Sequence, residues 1–519
     1  MNDAPDAGGG RRWLEPGALA LALAIAARSM MPVRGYLTDD TFIHLQYARH
    51  LAQGLGPVFN AGERVYGCTS PLWMALIALG IKLGADGLLV AKALGAIATL
   101  AAVVSFHFIA RRTLDSPWLR AGATVTWAAH AWMIRWSVSG METPLATALV
   151  LAGFASLVAT RPWGERRALT GTWWGLAALA RPEALLLLVA WGVALLWTSS
   201  REPAAPGAPR RRGRAAGMLP AALIVGAWLG FALAYFGTPW PQTLSAKAAG
   251  SGGLAGLIDN LGRIAPIVLA SDGVLVALLI AALTTRRPAA GTARDRALSL
   301  LPWAWVLGVP LLYLARGVPV LSRYLVPALP VLGWLAWRAA ARSPLTRTPG
   351  RARALAIAVT VLALAENAAV YRVLVLPQVT SFTLGMEHSL IPLGCWLHDH
   401  AARDASVATP DIGAIGYFSE RHVLDLGGLV TPRMVPLLER EPFEDVIARL
   451  DFASFARPEF VLDRADQARD LLRRSPYAGA LAPLDSAAVP NLGIRHPGRV
   501  VYTLYRVDWQ RVETLRGGR

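Results

Sequence analysis

YLTDDTFIHLQYARHLAQGLGPVFNAGERVYGCTSPLW, residues 36–73, follows the first apolar segment of the chain and places two adjacent acids, Asp39 and Asp40, at its boundary. An acidic pair beside a hydrophobic segment of membrane length points to chemistry at a membrane surface.

Composition supports the membrane. Of 519 residues, 54% are apolar and 16% charged, against roughly 25% charged in soluble domains, and the mean hydropathy is +0.41. The net charge of +17 does not indicate nucleic acid, because such a groove needs its cations on one folded face. Here they fall in short runs between apolar segments: Arg11-Arg12, Arg111-Arg112, Arg161 to Arg167, Arg201 to Arg214, Arg286 to Arg296 and Arg338 to Arg353. Arg and Lys accumulate in cytoplasmic loops, which places these six inside.

A spanning helix takes about 20 apolar residues. Spans are predicted near 14–33, 88–110, 118–135, 143–160, 215–236, 265–285, 298–315, 320–337 and 354–372. The first apolar run continues to Val33 without a small-x-small cleavage site, so it reads as a span and not a signal peptide. Segment 168–198 is flanked by basic runs on both sides, so it should cross twice, with Arg181-Pro182-Glu183 as the outer turn. Segment 71–84 is apolar but short, and reads as an interfacial or re-entrant helix. The expected fold is a polytopic α-helical membrane protein of about eleven transmembrane helices, with the N-terminus inside and the first outer loop over 34–87. That catalytic domain, 1–372, is followed by a C-terminal extracytoplasmic α/β domain, 373–519, with strand-like runs at Val461-Leu462 and Arg499 to Val507 and a helical run at Phe443 to Leu450. The Ala/Pro/Arg-rich segment 201–214 reads as a cytoplasmic connector. Cys68 and Cys395 both fall on the outer side, where a disulfide can persist, or they are two free thiols.

With this topology the unusual polar residues collect on one membrane face. Asp39, Asp40 and His44 are joined by Glu63, Arg64, Tyr66, Thr69 and Ser70 in the first loop, by Glu142, Arg181 and Glu183 at later turns, by Lys247, and by Arg316, Arg323 and Tyr324 before the tenth span. Such a mixture suits sugar transfer from a polyprenyl phosphate in the lipid bilayer. A carboxylate, Asp39 or Asp40, deprotonates the acceptor hydroxyl, while Lys247, Arg316 and Arg323 stabilise the departing phosphate.

The motif Asn60-Ala-Gly-Glu63-Arg64-Val-Tyr66-Gly-Cys68-Thr69-Ser70-Pro71-Leu72-Trp73 behind the Asp-Asp pair resembles the first outer loop of the GT-C superfamily of polyprenyl-phosphate-sugar glycosyltransferases. The loop is most similar to the mycobacterial arabinofuranosyltransferase B type. Further matching pieces are Ala-Arg-Pro-Glu at 180–183, the run from Tyr235 to Lys247, Ser-Arg-Tyr-Leu-x-Pro-x-Leu-Pro at 322–330, Asp411 to Phe418, and Val423 to Leu429. The resemblance implies transfer of one sugar, arabinofuranose being one candidate, to a cell-envelope glycan outside the cytoplasmic membrane. It implies Asp39 as the base, with Asp40 contacting the sugar or a metal, and it leaves a divalent cation open. Cys68 stands where that type carries a bulkier residue, and the outer domain is shorter, so sugar and acceptor stay open.

Each residue has a structural alternative. Thr38, Asp39 and Asp40 precede a helical run and could cap it; Glu63 and Arg64 could pair at a loop surface; Lys247 and Arg323 could anchor to headgroups; Arg181 and Glu183 could only close a turn. His44, one helical turn after Asp40, could share a metal with it. Asp411 and Asp425, beside glycines, are compatible with acceptor binding or with turn capping, and turn structure is favoured. A transporter or flippase of a lipid-linked sugar is the competing class. It would place ionisable residues at mid-span in symmetric halves, whereas here they lie near span ends.

Overall fold

The computed structural model describes residues 9–159, 167–201, 216–242, 254–285, 293–490 and 498–517. Lys247 and most of the basic runs at 161–167, 201–214 and 286–296 lie outside the described residues. Helices α1 (Gly9–Met30), α2 (Asp39–Ala52), α3 (Pro71–Lys82), α4 (Gly87–Thr113), α5 (Pro117–Ala128), α6 (Ala131–Ser137), α7 (Thr143–Val158), α8 (Arg167–Ala180) and α9 (Leu185–Arg201) are followed by α10 (Leu219–Phe236), α11 (Leu254–Thr284), α12 (Ala293–Arg316), α13 (Ser322–Leu325), α14 (Leu329–Ala341) and α15 (Pro349–Val370).

Among the described residues, six helices are long and apolar enough to cross a membrane: those over Trp13–Val33, Gly87–Thr113, Leu219–Phe236, Gly256–Thr284, Ala297–Arg316 and the stretch Pro349–His400. Helix α10 shows why this is a lipid-facing bundle: Leu219, Leu223, Phe231 and Leu233 are exposed although they are apolar, as a hydrocarbon solvent requires. Helix α14 is the opposite case. All residues from Leu329 to Ala340 are buried, so it forms the axis of the bundle, with Trp334 and Trp337 packed among Phe106, Phe154 and Trp174.

Two predicted spans are not continuous helices. The segment 118–135 divides at Ala129 and His130, where the His130 ring accepts from the Met133 amide and starts a new helix. The segment 320–337 divides between α13 and α14, where Pro327 and Pro330 cannot donate to a helical ladder. Helix α3, 12 residues and so about 18 Å long, is too short to cross the hydrocarbon core.

Beyond residue 372 the chain remains helical. A π turn, Tyr371–Val375, leads directly into α16 (Leu376–His388), and α17 (Leu390–His400) then packs on a five-stranded sheet. Strands β1 (Ser406–Thr409), β2 (His422–Asp425), β3 (Phe460–Ala465), β4 (Leu481–Val489) and β5 (Val500–Val507) lie in the order β2-β1-β3-β5-β4. The first three are parallel, and β5 runs antiparallel to β3 and β4. Helix α18 (Gly413–Ser419) connects β1 to β2.

The loop over 34–87 and this sheet domain share one core. Phe42, Tyr47, Phe59 and Trp73 pack with Ile412, Ala414, Ile415, Val423 and Leu462. The loop is thereby held on two sides, by the bundle below and the sheet domain above.

Candidate active site

A cleft of about 120 Å³ opens where α2, the turn before α7, the turn after α8 and the end of α12 meet, lined by Asp40, His44, Cys68, Thr69, Glu142, Arg181, Glu183, Arg316, Arg323 and Tyr324, with Tyr313. The acids and cations expected from distant segments do converge there, as the residues from 40 to 324 show.

Helix α2 is fixed at its N-terminus by three contacts. Thr38 caps it, its hydroxyl accepting from the Thr41 amide at 3.3 Å. The Thr41 hydroxyl donates to the Ser139 carbonyl at 2.7 Å. That approach requires Gly140, at φ +83°, where a Cβ would collide with Thr41. The third contact comes from the sheet domain: Gly413 N–H and Ala414 N–H donate to the two oxygens of Asp39 at 2.9 and 2.8 Å. Gly413 is needed because a Cβ there would strike the Asp39 backbone.

The two acids therefore have different surroundings. Asp39 faces the start of α18 and does not line the cleft. Burial, followed by the charge of Asp411, raises its carboxyl to about 8 against the two backbone hydrogen bonds. Asp40 lines the cleft, with its side chain 43% exposed, and pairs with the Arg323 guanidinium.

Below Asp40 lies a buried ionic network. Arg181 donates to Glu142 at 2.9 Å, to Glu183 at 2.9 Å and to the Tyr313 hydroxyl at 3.1 Å, and Tyr313 bonds Glu183 in turn. Glu142, preceding α7, is pushed up by burial but held well below the usual carboxylate range by His44 and Arg181. The rings of Tyr313 and Tyr324 stack at 4.8 Å and 6°, with Arg181 and Arg323 each over Tyr324 at 5.2 Å. Packing of this kind fixes the planes of both guanidiniums. Arg181 and Glu183 thus do more than close a turn.

The remaining first-loop residues lie apart from the cleft. Glu63 pairs with His422 at 3.0 Å and accepts from Asn60 at 2.9 Å, and Asn60 binds the Val423 backbone, so this part of the motif docks the loop on β2. Arg64 sits over Tyr235 at 4.7 Å. Tyr66 stacks on Phe236 at 4.9 Å and accepts from Trp228 at 2.6 Å, tying the loop to the end of α10. Asp425 accepts from the Gly427 and Val430 amides at 2.7 and 2.8 Å, closing a turn. Asp411 receives Arg464 at 2.9 Å and the Tyr502 hydroxyl at 2.5 Å.

Tyr313 and Cys68 belong to the cleft beyond the residues gathered on that face from the sequence, which already included His44 and Glu142. For His44 the signal was present, since the i, i+4 spacing from Asp40 puts both on one face of α2. Among the described residues no group of three or more His, Cys, Asp or Glu side chains could hold a metal ion. Cys68 and Cys395 are both free thiols.

An ionic cleft thus lies at one end of an apolar helical bundle, roofed by a small sheet domain. Residues 382–518 match a family described as a domain of unknown function, DUF8728. The chain is similar to the terminal beta-(1->2)-arabinofuranosyltransferase of Corynebacterium glutamicum, 29% identical over 248 residues, 42% of this chain and 34% of that relative. The match thus spans about a third of the relative's length. The structure resembles ArnT from Cupriavidus metallidurans in the apo state, with a TM-score of 0.56 at 16% identity over 96% of this chain and 99% of that one. It also resembles ArnT bound to undecaprenyl phosphate, with a TM-score of 0.54 at 15% identity over 94% and 98% of the two chains. The arabinofuranosyltransferase AftD from Mycobacteria gives a TM-score of 0.52 at 18% identity, over 97% of this chain and 42% of that one.

Proposed function

We propose that the protein is a membrane glycosyltransferase that moves a sugar, arabinofuranose in the first instance, from a polyprenyl-phosphate donor to an envelope glycan on the extracytoplasmic face. The observation that carries this reading is the pairing of Asp40 with Arg323 inside a cleft that also contains Arg181 and Arg316. The fold shared with a protein bound to undecaprenyl phosphate supports a lipid-phosphate donor. The similarity to an arabinofuranosyltransferase supports the sugar. The basic runs between the apolar segments, read as cytoplasmic, support an outer position for the cleft.

In this reading Arg323 exchanges Asp40 for the donor phosphate, with Arg316 beside it and Arg181 holding the floor. A guanidinium fork matches phosphate oxygens, and stabilises the charge that grows on them as the bond from the anomeric carbon to the phosphate oxygen breaks. Asp40, released from its partner and partly open to the cleft, takes the proton of the acceptor hydroxyl whose oxygen forms the new bond. Lys247 is kept as a phosphate ligand on its sequence position alone. Asp39 acts behind Asp40: its two hydrogen bonds to the sheet domain hold the first turn of α2 and so aim the next side chain. Both Asp39 oxygens are taken by the Gly413 and Ala414 amides and the side chain lies outside the cleft, away from the acceptor hydroxyl.

The test is to incubate the purified protein in lipid nanodiscs with a panel of polyprenyl-phosphate sugars and an arabinan acceptor, following release of polyprenyl phosphate. Release from one donor, lost in Asp40→Asn, is expected. Every donor remaining intact would refute the transferase reading, and transbilayer movement of an unchanged donor in sealed proteoliposomes would replace it with a flippase.

A further inference from the structure

The cleft holds a second chemistry that the sugar transfer does not use. Cys68 Sγ lies 3.7 Å from His44 Nδ1. The other ring nitrogen, Nε2, lies 3.3 Å from Glu142 Oε2, and Glu142 Oε1 accepts from Arg181 at 2.9 Å. Thiol, imidazole and carboxylate stand in the order nucleophile, base and orienting group. All three residues line the cleft, and each is below 10% exposed.

Local structure puts them there. Cys68 sits in the segment before α3, pinned by the Gly67 amide donating to the Tyr47 hydroxyl at 3.2 Å. His44 projects from the same face of α2 as Asp40, and Glu142 is the residue before α7. None of the three elements is a loop tip: α2 and the turn before α7 are tied by the Thr41 bond to Ser139. The chain has one other cysteine, Cys395, exposed on α17, which gives an internal reference for ordinary thiol reactivity.

We propose that Cys68 is a covalent modification site within the cleft, activated by His44 and Glu142, for soft carbon electrophiles of the α,β-unsaturated carbonyl class. The sulfur's proton passes to Nδ1 of His44, and the resulting imidazolium is stabilised by Glu142. The thiolate adds to the β-carbon, the electron pair of the carbon–carbon double bond moves to the α-carbon, and the imidazolium returns the proton there. One S–C bond forms, nothing leaves and no oxidant is needed. An adduct at this position fills the space beside Asp40 and Arg181. Exclusion of the donor by the adduct rests on the function proposed above, whereas alkylation does not.

The experiment uses N-ethylmaleimide on full-length protein in nanodiscs at neutral pH. Cys395→Ser leaves Cys68 as the sole thiol, Cys68→Ser leaves Cys395, and the adduct is read by intact mass. Cys68 is expected to react at least as fast as the exposed Cys395 despite its burial. His44→Asn in the Cys395→Ser background is expected to slow it on the order of a hundredfold, the lower end of what a positioned acid–base group contributes, with an unchanged melting temperature showing that the fold is kept. Undecaprenyl phosphate is expected to protect Cys68. Labelling of Cys68 only after unfolding, or at an equal rate in folded His44→Asn, would overturn the proposal. Fast, His44-dependent labelling without protection would uphold the thiol site and count against the lipid-phosphate cleft.

Discussion

Replacing Asp39 separates a base from a latch. Asp39→Ala deletes both acceptors of the Gly413 and Ala414 amides and leaves two N–H groups unpaired in the core shared by loop and sheet domain. At about 1–3 kcal/mol for each buried unsatisfied group, the loss is roughly 2–6 kcal/mol. Asp39→Asn keeps one carbonyl acceptor but turns an NH₂ toward the other amide, so about 1–3 kcal/mol is expected. Tryptophan fluorescence melts of nanodisc-embedded protein measure this. The pH dependence gives a second readout. The Asp39 carboxyl is raised in the fold from 3.8 to about 8. The folded state therefore holds a proton that the unfolded chain has released, and the contribution of Asp39 is fully present below about pH 4 and is lost as pH rises through about 8. Wild-type stability should thus fall relative to Asp39→Asn between pH 5 and 8, by at most about 1.4 kcal/mol per pH unit. The rate distinguishes the roles: a latch lost in Asp39→Asn lowers stability together with turnover. Asp39→Asn melting as wild type does while turnover falls on the order of 10²–10⁴-fold, the contribution of a general base, would refute the latch and make Asp39 the base.

Other perturbations test separate parts of the site. Arg181→Met should destabilise the fold by roughly 3–5 kcal/mol, since it leaves Glu142 as a buried charge without its guanidinium; a melt within 1 °C of wild type would contradict the buried network. Glu63→Gln should cost about 0–1 kcal/mol, because its pair with His422 is exposed, and it should leave turnover unchanged; a large loss of turnover would move Glu63 into the cleft. Gly413→Ala should weaken both melting and turnover by pushing α18 off Asp39, and should resemble Asp39→Ala more than Asp39→Asn. Equal behaviour of Gly413→Ala and wild type in both assays would remove the sheet domain from the positioning of Asp40.

Much of the cleft was legible in the sequence because apolar composition fixes what the polar residues mean. In a chain of this kind Asp40, Thr69, Arg181, Glu183, Arg316, Arg323 and Tyr324 stand out against their surroundings, and all of them line one cleft. The division of labour within the acidic pair was not legible. It depends on amides 374 and 375 residues away along the chain, and no periodicity reports contacts at that range. The resemblance implied Asp39 as the base, and the surroundings of the two acids favour Asp40. Glu63, Arg64 and Tyr66 share a motif with cleft residues yet face the sheet domain and α10, since a loop that must be docked on two sides spends polar and aromatic groups on docking. Helix breaks at His130 and Pro327 were hidden by hydropathy, which averages over a window and cannot see a cap.

In the proposed function Asp40 and its arginines act on a polyprenyl-phosphate sugar. Single-turnover transfer in nanodiscs, from polyprenyl-phosphate arabinofuranose to an arabinan acceptor, compares wild type with Asp40→Asn at matched melting temperature. Release of polyprenyl phosphate by wild type and a loss on the order of 10²–10⁴-fold in Asp40→Asn are predicted; transfer by Asp40→Asn at the wild-type rate would refute Asp40 as the base.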